Sequence, residues 1–258
     1  MDDNAMLDQL IMMSNRMAHP DMDLVILGEG NTSAKLNDQE FCIKASGFQL
    51  NGIQADGFVK CRFDRIIPTL DQPNLNDEQV KETLLGCRCD QSTNLLPSVE
   101  TFFHSYLLTL PGINFVAHTH ATAVNKILCS INWRAMEQPM FPDQIVNCGI
   151  APCMIEFTDP GNALSKKLRE KVEEYVHTYG VLPRMILMQN HGIISFGETA
   201  KAVEATTSMA VKTARILLGA MQMGGVHAFS HEIAQRIQDR PDEHYRQKLI
   251  DGLSRKEK

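Results

Sequence analysis

Apolar residues recur at helical spacing from Met6 to Met17 and predict an opening helix, stopped by His19-Pro20. The texture then changes to short apolar runs punctuated by glycine. Leu24 to Leu27 predicts a strand, Gly28 to Ser33 a tight turn, and Phe41 to Lys44 a second strand running into Ala45-Ser46-Gly47. Asn74 to Gly86 and Ser98 to Leu110 predict helices, the second opened by Pro97-Ser98 with Glu100 in its first turn. Ile113 to Ala117 and Met185 to Met188 predict short buried strands, ending near His118 and His191 respectively. Asp159-Pro160-Gly161 sets a capping acid before a proline and predicts a helix to Tyr179, closed by Gly180. Thr199 predicts the cap of a long helix from Ala200 to about Met223, and His231 to Leu253 a final one. Helices and strands mix without regular alternation. The expected class is therefore α/β, a three-layer α/β/α sandwich with helices on both sides of a mixed, largely antiparallel sheet.

Length and composition keep that reading simple. With 258 residues, 43% of them hydrophobic, the chain can fill one large core, and the absence of repeats, low-complexity tracts or linkers predicts a single domain over 1–258. The formal charge of −6 argues against a nucleic-acid or anionic-membrane surface, so an anionic substrate has to be met locally. An acidic Met1-Asp2-Asp3-Asn4 start and no apolar stretch of membrane-spanning length predict a cytoplasmic protein. Seven scattered cysteines fit a reducing compartment better than a disulfide framework, and the Cys87-x-Cys89 pair lacks the partner pair of a metal site.

Three histidines change the picture most. In a strand the side-chain period is two, so His118 and His120 project from one face with Thr119 pointing away. If His191 joins them from another strand, three neutral imidazoles leave a divalent ion one open position, the pattern of catalytic zinc. Manganese, iron or cobalt would fit the same ligands. A buried histidine is also commonly a hydrogen-bonded core residue, and the spacing alone leaves both readings open. Gly28-Glu29-Gly30-Asn31-Thr32-Ser33 is neither a Walker loop nor a dinucleotide fingerprint, yet its amides and hydroxyls could cradle an anion; a plain glycine-rich turn is the alternative. Ala45-Ser46-Gly47 and Pro97-Ser98 offer similar donors, and the pocket so formed needs no lysine. Glu100, either a solvated charge at a helix start or a general base, is the candidate proton carrier, with Glu29 and Asp143 as substitutes.

Taken in order, Gly28-x-Gly30-Asn31-x-Ser33, Ser46-Gly47, Pro97-Ser98-Val99-Glu100, His118-x-His120 and Asn190-His191-Gly192 resemble the class II aldolase/adducin family, nearest in motif to its rhamnulose-1-phosphate aldolase domains. The resemblance implies an α/β/α sandwich assembled as a homotetramer with active sites between subunits. It also implies that zinc on His118, His120 and His191 chelates a ketone resembling dihydroxyacetone phosphate, with Glu100 as acid/base and Gly30, Asn31, Ser46, Gly47 and Ser98 holding the phosphate of a small sugar-phosphate substrate. Two positions depart from the family pattern. Val99 stands where simpler members carry a second phosphate-binding serine, and Phe157 where related chains carry a tyrosine. A C-terminal tyrosine reaching a neighbouring subunit is then the expected donor to the aldehyde oxygen, and Tyr245 is the tyrosine in that region. The leading expectation is a ketose 1-phosphate aldolase of the rhamnulose or fuculose type. The rivals are a sugar-acid phosphate decarboxylase, a pentulose-phosphate 4-epimerase and a non-catalytic scaffold like adducin. No lysine stands out as a Schiff-base nucleophile.

Overall fold

The structure, a computed structural model, describes residues 2–242. In chain order these form α1 (Asp3–Met17), β1 (Asn31–Lys35), β2 (Glu40–Lys44), β3 (Phe58–Arg62), α2 (Asp77–Gly86), α3 (Thr101–Thr109), β4 (Phe115–Thr119), α4 (Thr122–Leu128), α5 (Pro142–Cys148), β5 (Cys153–Ile155), α6 (Asn162–Tyr179), β6 (Met185–Met188), β7 (Gly192–Gly197), α7 (Ala200–Gln222) and α8 (His231–Gln238), besides short 3₁₀ turns. The strands make one sheet in the order β3-β2-β1-β4-β7-β6-β5. Every neighbouring pair is antiparallel except β5 and β6, so the mixed, largely antiparallel sheet is as expected.

Alternation along the strands sorts the core into two layers. Ala34, Cys42, Phe115, Ala117, Leu187 and Ile193 are buried with Leu10 and Met13 of α1, Val124 of α4 and Val203 and Ala210 of α7. Phe41, Ile43, Val116, Ile186 and Ile194 are buried instead with Phe102, Phe103 and Leu107 of α3 and Leu164 and Leu168 of α6. Each fully buried Leu, Ile or Phe contributes roughly 1.5–3 kcal/mol, and the sheet is therefore gripped from both sides. All seven cysteines are free, as the composition suggested. No helix among the described residues is long and apolar enough to cross a membrane.

Thr199 caps α7 through Ala202 N–H, and left-handed Gly180 ends α6, both as expected. Elsewhere the local chemistry shifts the boundaries. Leu24 to Leu27 is a loop, not a strand: Ile26 and Leu27 are 64% and 75% exposed, and Leu27 has φ 50°. Its backbone is satisfied locally, Ile26 N–H donating to Glu29 Oε2 and Glu29 N–H to Ile26 O. The glycine turn ends at Gly30, and Asn31, Thr32 and Ser33 belong to β1, paired with β4. α3 starts at Thr101 with Glu100 in the capping position, one turn later than the apolar pattern implied. α6 starts after Gly161, whose φ of 100° makes it the cap in place of Asp159. β3, β5, β7, α4 and α5 were not anticipated. Of the expected last helix, α8 covers the start and stops at Gln238 with Asp239 as its cap; residues 243–253, Tyr245 among them, lie outside the described residues.

Candidate metal centre and its surroundings

β1, β4 and the β6–β7 hairpin bring their ends together beside the start of α3, and the three candidate histidines meet there. His118 lies near the end of β4, paired with Asn31 and Ile194. His120 follows one residue past the strand. His191 is not at a strand end, as its flanking residues suggested, but in the turn Gln189-Asn190-His191 that closes β6 onto β7. That turn needs Asn190 at φ 55°, a conformation asparagine tolerates better than most residues. Two glycines allow the close approach. A Cβ on Gly192 would lie 2.5 Å from Thr119 O and 3.1 Å from His118 Cε1, and one on Gly30 would lie 2.6 Å from His118 O.

One ring nitrogen from each histidine lies within 4.8 Å of the others. Three ligands about 2.1 Å from a tetrahedral zinc would stand about 3.4 Å apart, so this spread fits a metal. The tautomers of His118 and His120 agree. His118 Nδ1 is 3.0 Å from Ile193 O, an acceptor only, so Nδ1 carries the proton and Nε2 presents its lone pair. His120 Nδ1 lies 3.7 Å from Glu29 Oε1, which favours the same tautomer. The two Nε2 atoms are 3.0 Å apart. Two lone pairs facing each other at that distance repel unless a cation sits against them. Burial also keeps the rings neutral, pushing His118 down to about 4 and lowering His120. Neutral imidazole is the ligand form.

Glu100 is the carboxylate of this cluster. Oε1 is 3.1 Å from His191 Nε2 and 3.4 Å from His118 Nε2, and Oε2 accepts from Asn31 Nδ2 at 2.6 Å. Burial raises its pKa, while positive charge on His118 or His191, the His191 hydrogen bond and the Asn31 amide lower it, and the balance falls below the usual carboxylate range. Its substitutes stand differently. Glu29 is partly exposed and braces the Ile26–Leu27 loop, while Asp143 opens α5, a helix packed on α7 and α8.

The candidate anion loops lie on the same side. Asn31 Nδ2 also donates to Ser98 Oγ at 3.0 Å, and Ser98 Oγ receives Glu100 N–H. Ser46 and Gly47 form the exposed turn after β2, tied to this segment by the Ala45–Pro97 bridge and by Ser46 N–H to Leu96 O. Gly47 has φ 85°. The structure adds a group the sequence reading left out, Lys44. Its ammonium is buried and donates to Gly28 O and Phe48 O, both at 2.7 Å, bolting the Gly28–Asn31 loop to the Ser46–Gly47 turn. Burial brings its pKa down to about 8 against the opposing charge of Glu100. The sequence named no lysine here, because a charged residue at a strand end gave no sign that it would turn inward.

Val99 and Phe157 are both exposed, and Phe157 N–H donates to Gln189 of the turn that carries His191. A cavity of about 330 Å³ opens beside His120 and Glu29, bounded by Val25, Ile26 and Asn125.

Fold and side-chain set together define a family. The chain belongs to the class II aldolase and adducin N-terminal domain family, whose model matches residues 8–218. It is 27% identical over 256 residues, 95% of its length, to the uncharacterized oxidoreductase YuxG of Bacillus subtilis (strain 168), of which it spans 34%. Among solved structures it is similar to the N-terminal class II aldolase domain of a conserved protein from Thermoplasma acidophilum, with TM-score 0.64 and 27% identity over 82% of this chain and 93% of that one. An L-fuculose 1-phosphate aldolase shares the fold, with TM-score 0.68 and 18% identity over 91% of this chain and 95% of the other.

Proposed function

We propose that this chain is a zinc-dependent aldolase that splits a ketose 1-phosphate of the rhamnulose or fuculose type into dihydroxyacetone phosphate and a hydroxyaldehyde. The observation that carries the reading is the convergence of His118, His120 and His191 on one point, with Glu100 Oε1 3.1 Å from one of them. A bound divalent ion would supply Lewis acidity toward the ketone and its neighbouring hydroxyl. The rest falls to the chain. Gly30, Ser46, Gly47 and Ser98 supply donors for the phosphate, Asn31 braces this side through the amide it commits to Ser98 and Glu100, and the Lys44 ammonium between the two loops supplies a compensating charge. Glu100, ionised and fixed by Asn31, takes the proton that must move as the carbon–carbon bond breaks and returns it to carbon afterwards.

Tyr245 of a neighbouring copy in a homotetramer is our assignment for the relay that passes this proton from the hydroxyl that becomes the aldehyde oxygen to Glu100, since Phe157 beside the His191 turn has no hydroxyl. The chain so read is one catalytic domain acting on a small sugar phosphate in the cytoplasm, with no nucleic-acid or membrane partner.

Phe157 also favours a second reading, decarboxylation of a 3-oxo sugar-acid phosphate, because loss of carbon dioxide needs no acid at an aldehyde oxygen. A pentulose-phosphate 4-epimerase ranks lower, since the family's epimerases tend to place Asp where Glu100 stands. The test is elemental analysis of the purified chain coupled to release of dihydroxyacetone phosphate from a panel of ketose 1-phosphates, before and after chelation. About one zinc per chain with chelator-sensitive release supports the aldolase. Carbon dioxide without aldehyde would replace it with the decarboxylase, and a folded protein that takes up no metal would leave an adducin-like scaffold.

A further inference from the structure

α3 carries one buried polar ring that the proposed reaction does not use. His104 lies one turn beyond Glu100, fully buried, between Ser33 and Asn31 of β1. Its Nδ1 is 2.6 Å from Ser33 Oγ and its Nε2 is 2.5 Å from Asn31 Oδ1. Asn31 then reaches Glu100 and Ser98 through Nδ2.

The chemistry of these atoms leaves one arrangement. The Glu100 carboxylate can only accept, so Asn31 must turn its NH₂ toward it. The amide oxygen then faces His104, and because that oxygen also only accepts, Nε2 of His104 must carry the proton. Nδ1 is left bare, and the Ser33 hydroxyl donates to it. Were His104 in the other tautomer, Nε2 would set a lone pair against Asn31 Oδ1, and relief would come from turning the amide so that its oxygen met the Glu100 carboxylate. Burial pushes the His104 imidazole down to about 3, so it stays neutral near pH 7.

We propose that His104 is a positioning residue for Glu100: its Nε2–H locks the Asn31 amide in the one orientation that donates to the carboxylate, and Ser33 sets the tautomer. Its effect on turnover rests on Glu100 being the proton carrier of the reaction proposed above; the hydrogen-bond chain does not.

Two variants separate this role from simple packing. In His104→Gln the terminal amide can stand where Nε2 stood and donate to Asn31. In His104→Asn the shorter side chain reaches the Nδ1 position and leaves Asn31 unheld. Nitrogen-15 NMR of the full chain near pH 7 should show His104 as a neutral ring protonated at Nε2. The Asn31 side-chain amide protons should be protected from exchange in the wild type and in His104→Gln, and unprotected in His104→Asn. Zinc content should be equal in all three. On a cleaved ketose 1-phosphate, His104→Gln should keep kcat within about three-fold and His104→Asn should lose ten-fold or more, with KM little changed. An Nδ1-protonated or charged His104, or equal Asn31 protection in both variants, would overturn the proposal whether or not any sugar phosphate is cleaved. If the chain has no aldolase activity but the NMR pattern holds, the locking of Asn31 stands and the function assigned to Glu100 falls.

Discussion

On β1 and β4, Asn31, Ser33 and His118 face α3, whereas Thr32 and Thr119, each one residue along, face the α1 and α7 layer. The first set is bonded throughout: Asn31 to Ser98, Glu100 and His104, Ser33 to His104, and His118 to Ile193. On the other side Thr32 meets only Ser14, and the buried hydroxyls of Thr119 and of Ser195 on β7 have no hydrogen-bond partner among the described residues. Burial and polarity are thus similar on the two faces, yet only one gathers groups of complementary charge around a point. A buried polar residue marks a site when its neighbours need it, and otherwise lowers stability a little.

The sharpest test of the contrast removes a convergent group. His118→Ala should abolish stoichiometric metal uptake while the sheet still folds, as elemental analysis and circular dichroism would report. Metal retained at one per chain would mean that the three histidines are not the ligands. Glu100→Gln should keep the metal and lower kcat by about 10²-fold or more, the order expected when general-base catalysis is lost. Unchanged turnover on a cleaved ketose 1-phosphate would remove Glu100 from the chemistry.

Lys44 gives a smaller effect that depends on pH. Its ammonium, at about 8, is charged at neutral pH and loses its proton as pH rises. Binding of inorganic phosphate, followed by calorimetry, should therefore weaken from pH 7.5 to 9.5, and Lys44→Met should bind on the order of ten-fold more weakly at pH 7.5 and lose that dependence. Equal slopes for both proteins would detach Lys44 from the anion. The smallest effect belongs to the other face. Ser195→Ala removes a hydroxyl that has no hydrogen-bond partner among the described residues, and a thermal melt should shift by no more than the equivalent of about 1 kcal/mol, in either direction, with metal content untouched.

The sequence made some of this legible and hid the rest for physical reasons. His118 and His120 could be paired because strand alternation is a strictly local rule, and α7 could be bounded because Thr199 carries its own capping hydroxyl. Leu24 to Leu27 misled because four apolar residues fit a strand, a loop or a helix equally well until their partners are known. β7 was hidden behind His191, whose turn read as the end of β6. Lys44 and His104 escaped notice for a common reason: each draws its meaning from residues far along the chain, His104 from Asn31 at 73 positions' distance and Lys44 from loops on either side of β2. Nothing near His104 in Thr101-Phe102-Phe103-His104 distinguishes it from a core residue.

The tight fit at Gly192 has a consequence for anyone reading mutations in this chain. A glycine-to-alanine change there is a single-base substitution that alters no charge, no ligand and no hydrogen-bonding side chain. It would nonetheless push a methyl group against the backbone between His118 and His120. In a genetic screen such an allele should resemble loss of a histidine more than a conservative replacement. A scan restricted to polar residues would draw the edge of the functional site too narrowly.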